Sequence, residues 1–168
     1  MLEYKRIVLL LLFSIQIVIA QEHENQEASI FVGVGPTLEL ANNFYGVNAR
    51  VYYGINEKIC FGPEVSYLPF QRVKEDVEQS ILDLNINAHY IIELSEKIGV
   101  YGLSGLNYTK DTKRFLHEDE VEKAFGLNYG AGLHYRIQNW FFFTEFKGII
   151  GHLNDEFITI GTIVNIPI

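Results

Sequence analysis

The sequence predicts an all-β protein, built as an eight-stranded antiparallel up-and-down transmembrane β-barrel. Three observations predict this class: an export segment at the amino terminus, eight long segments of alternating apolar and polar residues, and connections that alternate between tight and long. No second apolar stretch of about 18 residues follows the export segment, which excludes a helical membrane protein. The exported chain is therefore either soluble or a closed barrel, since only helices and closed barrels satisfy their backbone groups in lipid.

The amino terminus has the features of a secretory signal peptide. Lys5 and Arg6 precede an apolar run that ends at Ala20, and Val18 and Ala20 supply the small side chains of a cleavage site. An uncleaved amino-terminal anchor is the alternative interpretation. The predicted organisation is a signal peptide over residues 1–20, a polar tail over residues 21–28 and a barrel domain over residues 29–168.

Composition narrows the classes of partner and of covalent chemistry. The formal net charge of −8 argues against a nucleic-acid partner, because a protein needs basic side chains to neutralise phosphates. Cys60 is the single cysteine, so an internal disulfide is excluded despite export. We expect Cys60 to be a small side chain that faces the core.

Eight strand-like segments follow the tail, and each is about 11 to 14 residues long. This length exceeds that of an ordinary globular strand and suits a tilted strand that crosses a bilayer. The connections at residues 56–57, 94–96 and 138 are uniformly tight. The other set has long connections at residues 69–80 and 110–123, an intermediate one at residues 151–155 and a short one at residues 41–43, a pattern typical of outer-membrane barrels. The predicted strands cover residues 29–40, 44–55, 58–68, 81–92, 97–109, 124–137, 139–150 and 156–168.

The fourth segment, ILDLNINAHYII, shows the alternation most clearly. Leu82, Leu84 and Ile86 fall on one face, and Asp83 and Asn85 fall on the other. We interpret the apolar face as the lipid-facing one, because seven of the eight apolar faces lack Asp, Glu, Lys and Arg, which are costly at the lipid midplane. The fifth segment has no clean phase, so its register stays open.

The polar faces combine charged residues with many glycines. A narrow eight-stranded barrel requires bulky and small residues to alternate in its interior, and buried charges there must pair. The sequence therefore predicts a structural ion-pair network inside the barrel. Its expected members are Glu39, Arg50, Glu64, Asp83, Arg136, Glu145 and Lys147.

Several stretches carry a family resemblance: VYYGINEKICFGPEVSYLPF, LDLNINAHYIIEL, GVYGLSGLNYT and FGLNYGAGLHYRI. Their spacing of Gly, Tyr and turns resembles the small outer-membrane β-barrel proteins of Bacteroidota, which are porin-like barrels similar to the barrel part of OmpA-type proteins without the periplasmic domain. The resemblance implies an eight-stranded barrel in the cell outer membrane. Two features depart from it: the chain ends in NIPI rather than an aromatic residue, and Pro36 and Pro63 interrupt candidate strands.

No constellation in the sequence predicts an enzyme. His89 and His134 lack a nearby serine in a triad-like arrangement, so no catalytic, cofactor-binding or metal-binding residue is assigned. The predicted role is structural or surface-interacting, with outer-membrane lipid as one partner and extracellular ligands or proteins contacted through residues 69–80 and 110–123. A small-solute pore and a soluble, lipocalin-like ligand-binding barrel are the alternatives.

Overall fold

The computed structural model describes residues 29–74, 76–116 and 118–168. Within these ranges, eight strands form one closed antiparallel barrel. Each strand pairs with its neighbours in the sequence, and β1 pairs with β8. The predicted signal peptide and polar tail lie outside the described residues. No helix in these three ranges is long and apolar enough to cross a membrane. The strands are β1 (Ser29–Glu39), β2 (Phe44–Gly54), β3 (Ile59–Lys74), β4 (Val77–Glu93), β5 (Ile98–Arg114), β6 (Asp119–Ile137), β7 (Trp140–Gly151) and β8 (Glu156–Pro167).

The apolar faces of the strands point outward, which confirms the predicted fold class. In β4, Asp83 has 0% of its surface exposed, whereas the adjacent Leu84 is 45% exposed and Ile86 is 60% exposed. Successive side chains of a strand point to opposite faces, so the same inversion repeats around the barrel. The polar residues therefore face the barrel interior, and the aliphatic residues face outward, where lipid surrounds an outer-membrane barrel.

The structure also settles the register of β5, which the sequence left open. Tyr101, Leu103 and Thr109 are buried and face the interior, while Leu106 is exposed. Both faces of this strand carry large apolar residues, and for that reason hydrophobic alternation did not distinguish them.

Two hairpins extend beyond the other connections at the same end of the barrel. β3 reaches Lys74 and β4 begins at Val77, and β5 reaches Arg114 before β6 begins at Asp119. The long loops expected at residues 69–80 and 110–123 are therefore wrong in extent, because most of these residues continue the strands. Opposite charges face each other in these extensions and support strand pairing; the pairs are Arg72↔Glu78, Glu78↔Arg114 and Lys113↔Glu120.

The tight turns lie at the opposite end, together with both ends of the described barrel. Ser29 is in register with Gly54 and with Pro167 at that end. In outer-membrane barrels the short turns face the periplasm and the longer connections face the exterior. We therefore refer to the tight-turn end as periplasmic and to the hairpin end as external.

Glycines allow the backbones to approach closely where the interior is narrow. A Cβ atom at Gly62 would overlap the carbonyl oxygen of Val51, and one at Gly35 would overlap the carbonyl oxygen of Ile160. At Gly102, on the outer face, a Cβ would meet nothing within 4 Å. The inward glycines thus make room for neighbouring strands and for the large interior side chains.

Candidate functional site

An ion cluster, formed by Arg50, Glu64, Glu145 and Lys147, occupies the middle of the barrel interior. The guanidinium of Arg50 donates to both oxygens of Glu145, with Nη1–Oε2 and Nη2–Oε1 distances of 2.8 and 3.0 Å. Its Nη2 also lies 3.5 Å from Glu64 Oε2, and Lys147 Nζ donates to Glu64 Oε1. Two cations and two carboxylates share one buried site, so their formal charges balance.

Neutral side chains complete the hydrogen bonding of this ion cluster. Tyr52 donates through its hydroxyl to Glu64 Oε2 at 2.8 Å, and Tyr101 donates to Glu145 Oε2 at 2.9 Å. Arg50 Nε donates to Asn48 Oδ1 at 2.8 Å. A buried ion pair is favourable only when such extra bonds offset the desolvation of its charges. These three neutral residues are absent from the predicted network, although all three face the barrel interior.

The other three charged residues of the predicted network lie elsewhere. Glu39 is buried near the external end of β1, where its carboxylate accepts hydrogen bonds from the backbone N–H groups of Ala41 and Asn42. Asp83 is buried and accepts from the hydroxyl of Thr109. The interior position expected for Arg136 is wrong, because this side chain is exposed at the periplasmic end, where the barrel opens to water.

A layer of asparagines lies beside the ion cluster. Asn128 Nδ2 donates to Asn85 Oδ1 and to Asn87 Oδ1, at 2.9 and 2.7 Å. Asn107 Nδ2 donates to the same Asn85 oxygen at 2.8 Å. Asn87 Nδ2 also lies 3.3 Å from Glu64 Oε2, which connects the asparagine layer to the ion cluster. Amides both donate and accept, so asparagines of the three neighbouring strands β4, β5 and β6 can bond to one another.

Nearer the external end, the interior becomes apolar. Five buried side chains pack into one cluster, which we call the external apolar layer: Phe44, Leu68, Ile81, Ile149 and Phe157. These residues come from β2, β3, β4, β7 and β8, so the layer spans much of the barrel circumference. Their strands point them inward at positions where the sequence otherwise carries polar residues.

Carboxylates surround this apolar layer. Asp155 lies in the connection between β7 and β8, where partial burial, together with repulsion from Asp83, Glu39 and Asp111, raises its pKa to about 7. Asp83 Oδ2 and Asp111 Oδ1 are buried without a hydrogen-bond partner among the described residues. Carboxyl groups are therefore concentrated at the external end of the interior.

The periplasmic half of the interior contains a cavity of about 720 Å³. Rings form a ladder along its wall: Tyr52 and His89 have centroids 4.5 Å apart, His89 and Tyr101 are stacked at 4.9 Å, and Tyr101 and His134 are stacked at 6.3 Å. Cys60 also lines this cavity and is buried as a free thiol, as expected for a core-facing side chain. We call this space the periplasmic cavity.

The described residues offer no evident metal centre. Nowhere in residues 29–74, 76–116 and 118–168 do three His, Cys, Asp or Glu side chains group closely enough to hold a metal ion. His89 and His134 are stacked against the same Tyr101 ring rather than directed at a common point. The two histidines therefore take part in ring contacts rather than in a shared metal site.

Structural comparison finds the same fold in small outer-membrane barrels. The attachment invasion locus protein Ail of Yersinia pestis matches with a TM-score of 0.62 at 18% identity, covering 85% of this chain and 100% of that one. The amino-terminal barrel domain of Pseudomonas aeruginosa OprF matches with a TM-score of 0.65 at 16% identity, covering 85% and 100%. Pseudomonas aeruginosa OprG matches with a TM-score of 0.62 at 10% identity, covering 86% and 98%. At these identities the likeness concerns the fold.

Sequence comparison identifies the family. No curated protein matches this chain. The family model described as "Outer membrane protein beta-barrel domain" matches residues 7–154, which is most of the sequence. The inverted faces, the closed eight-stranded topology and this match agree with one another. The chain belongs to the outer membrane protein beta-barrel domain family and is a protein of the cell outer membrane.

Proposed function

We propose that the protein is a non-enzymatic outer-membrane barrel whose interior is closed by its own side chains and whose external hairpins contact partners outside the cell. The observation that carries the closed interior is the succession of layers along the lumen: the ion cluster, the asparagine layer and the external apolar layer. An eight-stranded barrel is only just wide enough for side chains to fill. We expect these successive hydrogen-bonded and apolar layers to leave no continuous path for hydrated ions.

The ion cluster has a structural role in this proposal. Arg50 and Glu145 come from β2 and β7, which are not neighbours in the barrel, so their bidentate contact crosses the lumen. Lys147 and Glu64 join β7 to β3 in the same way. These two contacts link strands on opposite sides of the lumen and so hold the barrel at a fixed radius.

The candidate contact surface is the four-stranded extension formed by the hairpins β3–β4 and β5–β6. β4 and β5 stay paired up to Glu78↔Arg114, so the two hairpins form one continuous sheet at the external end. Beyond Gly126 the outer edge of β6 has no partner in β7, whose pairing stops at Gly151. An unpaired strand edge offers backbone groups to which a partner's strand can add. One structure of Ail is a complex with the heparin analogue sucrose octasulfate, and this likeness supports a surface-contact role for the present chain.

Single-channel recording tests the closed interior. The folded protein, reconstituted in a planar lipid bilayer, is expected to add no stepwise current above that of the lipid. The truncation Phe157→Ala, combined with Phe44→Ala, thins the external apolar layer but leaves the ion cluster, and we expect it to stay closed as well. Reproducible unitary currents from the folded wild type would contradict the proposal and favour a small-solute pore.

A further inference from the structure

The outer face of the β5–β6 hairpin carries two lysines that lie directly opposite each other, which we call the lysine pair. Lys110 of β5 is in register with Lys123 of β6. Both positions have the outward phase of their strands, which they share with the exposed Leu106 and Leu127. Side chains opposite each other on antiparallel strands have Cβ atoms about 4.5–5.5 Å apart, and like charges at that spacing destabilise the pairing.

The lysine pair lacks a counterion on the protein. Within the part of the chain that the structure describes, neither ammonium group has a carboxylate within 4 Å. The adjoining pair of like charges, Asp111 and Glu122, belongs to the other face of the hairpin. There Asp111 Oδ2 accepts a hydrogen bond from Gln79 at 2.7 Å. Glu122 Oε1 lies 3.1 Å from His152 Nε2. The acids thus have polar partners, and the lysines do not.

The end of β7 indicates the height of the lysine pair relative to the membrane. β6 is paired with β7 only up to Gly126↔Gly151, and beyond this point that edge of β6 has no strand partner among the described residues. Unpaired backbone groups are too costly in hydrocarbon, so we expect the hydrocarbon to end near Gly126. Lys123 lies further along β6, about 10 Å along the strand and about 7 Å in height for a strand tilted by about 40°. The headgroup layer on each side of a bilayer is about 5–8 Å thick, so the lysine pair falls at that level.

The outer face below the lysine pair is first aromatic and then aliphatic. Tyr108 and Phe125 are in register one step nearer the periplasm, and their ring centroids are 5.1 Å apart. Phe125 is 81% exposed. Leu106 and Leu127 follow on the same face. Aromatic rings favour the membrane interface and aliphatic side chains favour hydrocarbon. Cations, rings and aliphatic groups therefore follow one another in the order in which a lipid presents its phosphate and its acyl chains.

We propose that Lys110 and Lys123 together bind the phosphate group of a phosphorylated lipid in the outer leaflet. Lysine binds phosphate as a compact positive charge, and a charge-assisted hydrogen bond from each ammonium group to one phosphate offsets the repulsion between the two lysines. The acyl chains of the lipid pack against the rings and leucines below. This site uses side chains of the outer face, so it depends neither on the closed interior nor on strand addition at the edge of β6.

Three probes distinguish a lipid phosphate from a free phosphate and from an uncharged lipid. Didecanoyl phosphatidic acid, inorganic phosphate and didecanoylglycerol are each titrated into the folded barrel in uncharged maltoside micelles at pH 7. Backbone amide NMR shifts of residues 108–112 and 121–125 are the readout. We expect saturable shifts with phosphatidic acid and no saturable shift with didecanoylglycerol. Inorganic phosphate should bind at least roughly tenfold more weakly, because it has no acyl chains to bury.

Substitutions separate this site from the general charge of the hairpin. Lys110→Gln and Lys123→Gln should each weaken the binding of phosphatidic acid roughly fivefold, because each removes one cation near the membrane surface. Lys113→Gln is the matched control: it removes the same charge from the same hairpin, at a position in register with Glu120, and should bind as the wild type does. Lys123→Arg keeps the charge and should retain binding.

Three results would each overturn the proposal. Equal loss of affinity in Lys113→Gln and Lys123→Gln would mean that the hairpin attracts anions only through its overall charge. Equal affinity for phosphatidic acid and didecanoylglycerol would mean that lipids only partition into the micelle. Inorganic phosphate that binds as tightly as phosphatidic acid would identify a site for free anions. Lys123 is exposed, so Lys123→Gln provides the test if Lys110→Gln does not fold.

Discussion

Arg50 and Glu145 form a two-point contact across the lumen: the guanidinium nitrogens Nη1 and Nη2 each donate to a different oxygen of the carboxylate, at 2.8 and 3.0 Å. The two residues are 95 positions apart in the sequence and lie on strands that are not neighbours. Both side chains are fully buried. The planar fork of Arg matches a carboxylate in a way that Lys does not, so this contact fixes geometry as well as charge.

The first prediction concerns that contact. Arg50→Leu leaves Glu145 and Glu64 buried with less compensating charge, and we expect it to lower the free energy of unfolding by about 3–5 kcal/mol. Urea unfolding of the barrel in lipid vesicles measures the change. Arg136→Leu, which removes the same charge from the exposed rim, should stay within about 0.5 kcal/mol of the wild type. An Arg50→Leu barrel as stable as the Arg136→Leu barrel would refute the structural role of the ion cluster.

The second prediction tests which face meets lipid. Leu84→Arg places a charge on the outer face of β4 and should destabilise the barrel by about 2–4 kcal/mol if Leu84 lies near the bilayer midplane. The comparison is Val121→Arg, an exposed position in the part of β6 that extends past its pairing with β7 and that we expect to lie outside the membrane. That variant should unfold as the wild type does in the same urea titration. Equal stability of both variants would argue that water, not lipid, contacts Leu84.

The third prediction concerns glycine and strand spacing. Gly62→Ala forces a methyl group against the carbonyl oxygen of Val51, so strand β3 must move, at a cost of about 1–3 kcal/mol. Gly102→Ala adds the same methyl group where nothing lies within 4 Å, and we expect little change. The two variants are compared by the melting temperature, taken as the temperature at which the folded band disappears from a heat-modifiability gel. A lower melting temperature for Gly102→Ala than for Gly62→Ala would contradict the close approach of β2 and β3.

The fourth prediction concerns pH. The pKa of Asp155 is about 7 in the fold against 3.8 for an ordinary aspartate, so the folded state binds its proton more tightly than the unfolded state. The associated stability is fully present below about pH 4 and is lost as the pH rises through about 7. Asp155→Asn mimics the protonated form. Its free energy of unfolding should therefore exceed that of the wild type by about 1–3 kcal/mol at pH 8 and equal that of the wild type at pH 4. The half-exposed Asp119→Asn is the control, and a stability gain that is the same at both pH values would contradict the assignment.

The fifth prediction tests the orientation of the barrel. A short epitope inserted between Arg114 and Asp119, at the tip of the β5–β6 hairpin, should be accessible to antibody on intact cells. The same epitope between Glu93 and Ile98, at a tight turn, should become accessible only after the outer membrane is opened. Flow cytometry before and after permeabilisation measures both. Labelling of the tight-turn epitope on intact cells would reverse the assignment of the two ends.

Much of the fold could be predicted because a barrel repeats one local rule. Alternation at a period of two set the faces of seven strands, and the described strands begin and end within a few residues of most predicted bounds. The external hairpins were underestimated because their residues are charged, and polarity alone does not end a strand when opposite charges pair across it. Lys113 and Glu120 show this directly.

The interior was harder to predict, because alternation gives the face of a residue but not its height along the barrel or its partners. Arg136 falls on the inward phase of β6, yet it lies at the rim, where the inward direction leads to water. Glu39 also faces inward, but its carboxylate accepts hydrogen bonds from the backbone N–H groups of the turn that follows β1 and needs no cation. The contacts of Arg50 depend on strands that are far apart in sequence, and no local pattern encodes that pairing.

The seam between the first and last strands has a consequence for biogenesis. β8 supplies hydrogen bonds to β1 on one side and to β7 on the other. A chain that lacks β8 would therefore leave one edge of β1 and one edge of β7 unpaired in hydrocarbon. Unsatisfied peptide groups are costly there. Closure of the barrel is thus all-or-none with respect to β8, because no other strand in the described barrel pairs with both β1 and β7.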